Sequence, residues 1–315
     1  MNEPDVMVYL MTGFLDSGKT QFLTFTLKQD YFQIDGKTLL ILCEEGEEEY
    51  DPMEMLKYGV VIERVEDQED LTAEWLEEMD RRHEPERVVV EYNGMWKVSD
   101  FENLKLPQGW GIEQKLTTVD ASTFQMYLTN LKPLFVEMVR GADLVLFNRC
   151  EDIKPLAGYR RSVKVVSPQA EVIFEDEEGE IENIFEDEVP YDLKAPVIEI
   201  AKEDYGIWYV DMMENPDRYR GKVVEYTAKV LKPRTFPAKV FMAGRMAMTC
   251  CADDVSFLGY VCRSAYAPKL KAGQWVRIRA KIRFANLSVY RGEGPVLEAE
   301  NIDLADPIEE LVYFN

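Results

Sequence analysis

The sequence has 315 residues and a net charge of −23, and this length is enough for two domains with full hydrophobic cores. The charge is uneven, because residues 1–204 carry −26 and residues 205–315 carry +3. The acidic first part disfavours binding to nucleic acid or anionic membranes, and the contrast predicts two modules with different roles.

Targeting and cysteine patterns predict a cytoplasmic protein. No apolar run reaches the roughly 18 residues that a membrane span needs, and Glu3 and Asp5 stand where a signal peptide needs positive charge. The five cysteines are odd in number and unevenly placed. In a cytoplasmic chain this predicts free thiols or metal ligands and not disulfides.

The first predicted strand, Val6–Met11, leads into Gly-Phe-Leu-Asp-Ser-Gly-Lys-Thr at residues 13–20 and then into a predicted helix over residues 21–29. The octapeptide fits the phosphate-binding pattern G-x-x-x-x-G-K-[ST] without mismatch and in the required strand–loop–helix context. In such loops the lysine neutralises the phosphates and the hydroxyl binds Mg²⁺. The predicted nucleotide-binding residues are Gly13, Asp16, Ser17, Gly18, Lys19, Thr20 and Gln21, with Lys19 also catalytic.

Two following strands end at carboxylates that could serve the same site. Strand 37–43 precedes a run of acidic residues that begins at Glu44. That run is either a solvated loop or a switch segment in which Glu44 is a magnesium ligand. After a short strand at 60–63 and a helix over 70–82, strand 87–91 ends in Glu91. This residue is either a solvent-exposed carboxylate or the group that orients Mg²⁺ and the attacking water.

The next strands point to guanine recognition. Strand 114–120 is followed by a predicted helix over about 122–140 and by strand 142–147, which ends in Asn148-Arg149-Cys150-Glu151. Guanine-specific P-loop proteins carry Asn-Lys-x-Asp here: the Asn reads the purine, the basic side chain stacks on it and the acid accepts from guanine N1 and N2. Arg and Glu can perform the last two roles, so we expect Asn148, Arg149 and Glu151 to bind guanine.

Two further strands are predicted at 163–166 and 172–174. The alternation of strands and helices predicts an α/β domain over residues 1–175 with a mostly parallel sheet, whose ligands bind at the carboxyl ends of the strands. The acidic residues that follow predict a linker over 176–204.

Residues 205–315 have a different pattern. A short helix near 210–216 precedes strands at 223–231, 239–250, 258–262, 274–285 and 296–304. Five strands in this length predict a small β-barrel, with the OB type as the expected form.

Two groups of side chains in this barrel have more than one interpretation. Alternation places four basic residues on one strand face, which is either a solvated outer face or an anion groove: Arg277, Arg279, Lys281 and Arg283. Four other residues either form a soft-metal site for zinc or include cysteines that are simply buried: Cys250, Cys251, Asp253 and Cys262.

At the level of these motifs, residues 1–175 resemble the CobW/UreG/HypB group of P-loop GTPases, and CobW most. The resemblance rests on residues 13–20, a Glu-x-x-Gly element at 91–94, Thr-Val-Asp-Ala at 118–121, Ala142-Asp143 and residues 148–151. Ser167-Pro168-Gln169-Ala170 resembles the family segment beside the base, which implies that Ser167 and Pro168 bind the nucleotide. The resemblance implies a Mg²⁺-dependent GTPase in metal-ion handling or metallocofactor delivery, and related GTPases often dimerise through the nucleotide face.

The chain departs from that family in three places. The family's Cys-x-Cys-Cys metal motif is missing, because residues 44–87 contain no cysteine, and Asp16 stands where the family usually has glycine. The family's usual C-terminal domain is replaced by residues 205–315. These resemble the C-terminal domain of YcgQ-like bacterial proteins, which are encoded beside permeases, at Thr249–Asp254, Trp275 and Tyr313.

Two functional hypotheses follow. In the first, the protein is a CobW-like GTPase that uses GTP, GDP and Mg²⁺ and serves a metal-receiving protein. In the second, it is a nucleotide-regulated adaptor whose β-barrel binds a partner protein such as a permease. Binding of single-stranded nucleic acid is disfavoured by the acidic first domain and the lack of clustered aromatic residues.

Overall fold

The computed structural model describes residues 4–151, 153, 156–181, 189–248, 255–290 and 292–312. The chain divides into two compact units. The first unit comprises Met1–Leu156 and Val166–Ile184, and the second comprises Ala157–Val165 and Phe185–Asn315. Within the described ranges, no helix has the length and apolar character needed to cross a membrane.

The first unit contains an eight-stranded sheet in the order β3-β2-β4-β1-β5-β6-β7-β8. Strands β1 to β7 pair in parallel, and β8 forms an antiparallel hairpin with β7. Strands β2 and β4 are buried at every residue, as expected for strands that are covered on both faces. The strands are β1 (Val6–Thr12), β2 (Thr38–Leu42), β3 (Val60–Arg64), β4 (Arg87–Glu91), β5 (Trp110–Asp120), β6 (Leu144–Asn148), β7 (Glu171–Asp176) and β8 (Gly179–Glu180).

The parallel P-loop sheet predicted from the sequence is confirmed, but one predicted helix is wrong in detail. The helix expected over 122–140 is two helices, which meet at Leu131. Pro133 lies in the first turn of the second helix, where it is tolerated, whereas a single continuous helix would place it in the interior. The helices of the first unit are α1 (Lys19–Leu27), α2 (Pro52–Leu56), α3 (Ala73–His83), α4 (Val98–Glu102), α5 (Phe124–Asn130) and α6 (Lys132–Val139).

The strand predicted at 163–166 is also wrong, because helix α7 (Leu156–Lys164) occupies the first half of this segment and a turn follows it. Leu156, Tyr159 and Val163 recur at helical spacing and are all buried. The β-branched valines at 163, 165 and 166 suggested a strand, but the three-and-four spacing upstream prevails. All of α7 except its first residue belongs to the second unit.

The second unit is built on a six-stranded mixed sheet in the order β11-β12-β14-β13-β10-β9, with a further pairing between β11 and β10. Strands β10 to β14 therefore form a closed ring of pairings, the five-strand ring. All pairs in the ring are antiparallel except β12 with β14. The elements are β9 (Ile198–Glu199), α8 (Tyr205–Glu214), α9 (Pro216–Tyr219), β10 (Val223–Leu231), β11 (Val240–Met248), β12 (Val255–Arg263), β13 (Trp275–Leu287) and β14 (Gly292–Leu304).

The core of the second unit is rich in aromatic side chains whose polar atoms bind the backbone. Tyr205 donates to the carbonyl of Leu258 at 2.9 Å, and Tyr226 donates to the carbonyl of Ala243 at 3.2 Å. Burial raises the pKa of both phenols, so they remain hydrogen-bond donors. Buried polar groups are stable when they are hydrogen-bonded in this way.

Candidate functional site

The phosphate-binding loop lies between β1 and α1, and its lysine is already fully bonded. Lys19 is 3% exposed, and its ammonium group donates to the carbonyls of Gly13 and Phe14, both at 2.9 Å. The third donor of the ammonium binds Glu44 Oε2 at 2.5 Å. Lys19 is therefore held at the loop by two backbone carbonyls and one carboxylate.

Glu44 bridges the loop to the turn that follows β4. Its second oxygen, Oε1, accepts from the backbone N–H of Gly94 at 3.2 Å. A Cβ atom on Gly94 would lie 2.4 Å from the carbonyl oxygen of Gly13, so only glycine allows this close approach to the loop. Gly94 N–H and Lys19 thus present two donors to one carboxylate.

Glu91, at the end of β4, has both carboxylate oxygens occupied. Thr20 Oγ1 donates to Oε1 at 2.7 Å, and the Tyr50 hydroxyl donates to Oε2 at 2.5 Å. Burial raises the pKa of Glu91, while the hydrogen bonds from Tyr50 and Thr20 and the charge of Lys19 oppose that rise. Hydroxyl and carboxylate oxygens are the ligands that Mg²⁺ prefers, so Thr20 and Glu91 suit that ion together.

The predicted base-reading residues are tied directly to the phosphate-binding loop. Asn148 Nδ2 donates to the carbonyl of Ser17 at 2.9 Å, and Arg149 Nη1 donates to the carbonyl of Asp16 at 2.9 Å. Arg149 also forms a 2.5 Å ion pair with Asp120. Burial alone would raise the pKa of Asp120, but hydrogen bonds from Ser122 and Arg149 outweigh it and lower that pKa.

Asp16 explains how the loop tolerates a residue other than glycine at this position. Its φ angle is 59°, in the left-handed region that favours glycine but that aspartate adopts more readily than most residues. Its carbonyl, held by Arg149, forms part of the loop backbone. Asp16 therefore adopts a backbone conformation that also suits the glycine of the family pattern.

Two clefts meet at this loop. The smaller, of about 90 Å³, is lined by residues that include Lys19, Thr20, Glu44, Glu91 and Arg149. The larger, of about 920 Å³, extends from Gly18 and Gln21 past Asn148 and Glu151 to the β7–β8 hairpin. The smaller cleft thus joins residues predicted to bind phosphate and magnesium, and the larger cleft joins residues predicted to bind the base.

The remaining predicted base contacts lie elsewhere. Ser167 is buried and donates to the carbonyl of Ala142 at 3.4 Å, and Pro168 is exposed. Neither residue is part of the described wall of the larger cleft. Their role in binding the nucleotide stays a prediction.

The predicted soft-metal site falls largely outside the described residues, which do not include Cys250, Cys251 or Asp253. Cys262 is buried in the core of the second unit, and burial raises the pKa of its thiol. Across the described ranges, no group of three or more His, Cys, Asp and Glu side chains could hold a metal ion.

The basic residues of β13 share one face as predicted, and three of them are exposed: Arg277, Arg279 and Arg283. Acidic neighbours share this face. Arg277 and Arg279 both form 2.6 Å ion pairs with Glu225 on β10. In the register with β14, Lys281 lies opposite Glu298. These contacts favour a solvated outer face over an anion groove.

Sequence reasoning missed two residues of the site. Tyr50 lies within the acidic run and binds Glu91, and Asp120 anchors Arg149. A signal for Tyr50 was present, because an aromatic residue after five carboxylates in six residues is out of place in a purely solvated loop. Asp120 ends a predicted strand, but its contact with Arg149 joins the ends of two strands that are separate in the sequence.

Comparisons with known proteins agree with this geometry. Residues 7–174 match the family described as CobW/HypB/UreG, nucleotide-binding domain, and residues 177–314 match the DUF1980 C-terminal domain. No curated protein matches the sequence.

Solved structures with similarity include the hydrogenase maturation factor HypB from Archaeoglobus fulgidus, at 18% identity and a TM-score of 0.40, covering 55% of this chain and 82% of HypB. They also include the Zn(II)-bound YjiA GTPase from E. coli, at 19% identity and a TM-score of 0.43, covering 82% of this chain and 89% of YjiA. The family match extends over more than half of the 315 residues. The chain therefore belongs to the CobW/HypB/UreG family of nucleotide-binding proteins.

Proposed function

We propose that this protein is a Mg²⁺-dependent GTPase. The observation that carries the proposal is the double attachment of the base-reading segment to the phosphate-binding loop, through Asn148 to Ser17 and Arg149 to Asp16. These bonds hold the Asn148 amide and the flat Arg149 guanidinium beside the loop that would hold the phosphates, which supports their proposed role at the base. Membership of the family supports guanine-nucleotide binding.

In this proposal the chain contributes mainly positioning and charge. Lys19 and the N–H groups of the loop neutralise the phosphates, and Arg149 presents its guanidinium plane to the base. Glu151, exposed on the wall of the larger cleft, accepts from guanine N1 and N2. Thr20 and Glu91 would hold Mg²⁺, which when bound neutralises charge on the phosphate oxygens.

Glu91 has a second role in the proposal. Its carboxylate lies at the end of β4, within hydrogen-bond distance of Thr20 and Tyr50. Each carboxylate oxygen has two lone pairs, so Glu91 can also accept from a water molecule that attacks the γ-phosphate while its bonds to Thr20 and Tyr50 remain.

Calorimetry with GTP, GDP and ATP, each with Mg²⁺, tests the proposal on the full-length protein. We expect both guanine nucleotides to bind and ATP to bind at least about tenfold more weakly, since a site that hydrogen-bonds one base leaves polar groups unpaired with another. Phosphate release from GTP should follow. Equal binding of ATP and GTP would contradict the guanine assignment.

The cellular role that we propose is metal-ion handling or metallocofactor delivery. Support comes from the family and from its likeness to HypB and YjiA, of which the first is a hydrogenase maturation factor and the second has been solved with Zn(II). Titration with Zn²⁺, Ni²⁺ and Co²⁺ in the presence of GDP or a GTP analogue tests it. A metal affinity that depends on the nucleotide is the expected result, and the absence of any metal binding would leave the adaptor role as the better hypothesis.

We further infer that the five-strand ring is an OB-type barrel. The ring order β10-β11-β12-β14-β13, with β12 and β14 parallel, is the closed Greek-key arrangement expected of a five-stranded barrel of this kind. The acidic partners of the basic stripe on β13 favour a protein partner over nucleic acid for this unit. A binding assay with a labelled oligonucleotide should therefore show no salt-dependent binding.

A further inference from the structure

The carboxylate of Glu44 is buried against the phosphate-binding loop. It is 9% exposed and ion-paired with Lys19 at 2.5 Å. The adjacent Glu45 is 77% exposed and lies 3.6 Å from Arg64. One carboxylate of the acidic run is therefore turned into the site, while the next points away from it.

The donors that hold Glu44 belong to two separate parts of the fold. Lys19 belongs to the start of α1, and Gly94 belongs to the turn after β4. Each gives one hydrogen bond to a different oxygen of Glu44. An anionic group that bridges the lysine of a phosphate-binding loop and a backbone N–H of a neighbouring turn has the hydrogen-bonding requirements of a phosphate.

The bonding of Lys19 shows what an arriving nucleotide must displace. A lysine ammonium has three donors, and two of them bind carbonyls of the loop itself, Gly13 and Phe14. The third donor binds Glu44, which makes this the contact that a phosphate oxygen can replace without opening the loop. The lysine of such loops reaches the β- and γ-phosphates.

We propose that Glu44 occupies the position of the γ-phosphate, between Lys19 and Gly94, and thereby determines the preference of this site between GTP and GDP. The inference depends on the proposed GTPase function. GTP must expel the carboxylate from both donors, because two anions cannot share them. GDP lacks the γ-phosphate and competes with Glu44 for Lys19 alone, so Glu44 penalises GTP more than GDP.

Displacement of Glu44 also connects nucleotide binding to the acidic run. Glu44 lies six residues before Tyr50, which binds Glu91 at the magnesium position. Release of Glu44 therefore frees one end of a segment whose other end contacts Glu91. The γ-phosphate would be sensed at Glu44 and the change would reach Glu91 through the intervening residues.

Glu44→Gln tests the proposal, with Glu45→Gln as the matched control. The affinity of full-length protein for GDP and for a non-hydrolysable GTP analogue is measured by calorimetry with Mg²⁺. We expect Glu44→Gln to raise the affinity for the GTP analogue by about tenfold or more, since a charge-assisted hydrogen bond is removed from the competing state. The gain for GDP should be smaller, and Glu45→Gln should match the wild type.

The opposite sign overturns the proposal. If Glu44 is a magnesium ligand, Glu44→Gln weakens binding of the GTP analogue in Mg²⁺, and if Glu44 has no role, the variant binds both nucleotides as the wild type does. Failure of the proposed GTPase function looks different, because neither wild type nor variant then binds any guanine nucleotide. Glu44→Asp, too short by one methylene to span both donors, serves as a second variant and should also favour the GTP analogue.

Discussion

Several polar side chains of the first unit and of the second unit differ in the groups that they bind. In the first unit, polar groups that follow β1, β2 and β4 bind one another, as Thr20 does with Glu91 and Lys19 with Glu44. In the core of the second unit, Tyr205 and Tyr226 bind backbone carbonyls instead. Arg245, 2% exposed, donates to the carbonyls of Lys202 and Glu310.

Contacts of the first kind form a site whose side chains can exchange one another for a ligand. Contacts of the second kind form a framework in the core of the second unit that cannot make this exchange. Two side chains that bind each other can separate and bind a ligand instead, because their separation does not disturb the backbone that carries them. A side chain that binds a backbone carbonyl inside a packed core would leave that carbonyl without a partner if it moved. The comparison therefore separates the side-chain pairs at the phosphate-binding loop, which a ligand can exchange, from Arg245, which holds two backbone carbonyls in the second unit.

Lys19→Ala tests the exchangeable site, and of all the substitutions we expect it to have the largest effect on nucleotide affinity. Loss of the ammonium removes the charge-assisted contact with the phosphates and leaves Glu44 without its cation, so we expect affinity for GTP and GDP to fall by about a hundredfold or more. Calorimetry measures the loss. Lys28→Ala is the control, because Lys28 lies at the end of the same helix in a partly exposed ion pair with Glu54 at 2.7 Å, and its removal should leave binding intact.

Arg245→Met tests the framework. Methionine fills a similar volume but leaves the carbonyls of Lys202 and Glu310 without their donors, so we expect the free energy of unfolding of the second unit to fall by about 3 kcal/mol. Urea unfolding measures it, and the transition that GTP does not shift belongs to the second unit. Nucleotide affinity should not change.

Arg283→Met is the matched control for that experiment, because Arg283 is exposed on β13. It should alter the free energy of unfolding by less than about 0.5 kcal/mol. Equal destabilisation by both arginine variants would contradict the view that Arg245 is part of the framework. A loss of nucleotide binding in Arg245→Met would break the separation between the units.

Much of the first unit could be predicted because its signals are local. The strand, loop and helix around residues 13–20 and the buried run ending at Glu91 lie where expected. The errors at α6 and α7 arose where local preferences conflicted, with Pro133 inside an apolar helical pattern and valines next to a helical stripe. Each conflict is decided by packing that short windows of sequence do not contain.

The site contacts were harder to predict than the site residues. The pattern identified Lys19, Glu44 and Glu91 as residues of one site, but not that Glu44 pairs with the lysine. The partners of Tyr50 and Asp120 lie 41 and 29 residues away along the chain. Such pairings depend on which strands are neighbours in the sheet, and the order β3-β2-β4-β1-β5-β6 is a property of the whole fold.

Glu151→Gln tests base recognition separately from phosphate binding in the first unit. The amide cannot accept from both guanine N1 and N2 as a carboxylate can, so we expect the affinity for GTP to fall by about tenfold, while xanthosine triphosphate gains relative to GTP. Competition against a fluorescent guanine nucleotide measures both. Glu177→Gln changes a carboxylate on the same cleft wall and should have no such effect; an equal loss in both variants would indicate a general effect of charge.

Tyr50→Phe is the substitution for which we expect the smallest effect. It tests whether side chains that bind each other in the first unit also position one another. The phenol donates to Glu91 at 2.5 Å and is itself buried, and burial with the charge of Glu91 raises its pKa, which keeps its proton in place. Without that donor Glu91 is less firmly held, so we expect the Mg²⁺ concentration for half-maximal GTP hydrolysis to rise about fivefold. Tyr58→Phe is the control. Tyr58 packs against the core cluster that contains Tyr50, and loss of the Tyr58 hydroxyl leaves the contacts of Glu91 unchanged. An unchanged Mg²⁺ requirement in Tyr50→Phe would mean that Thr20 alone fixes Glu91, and that the acidic run contributes to this site only through Glu44.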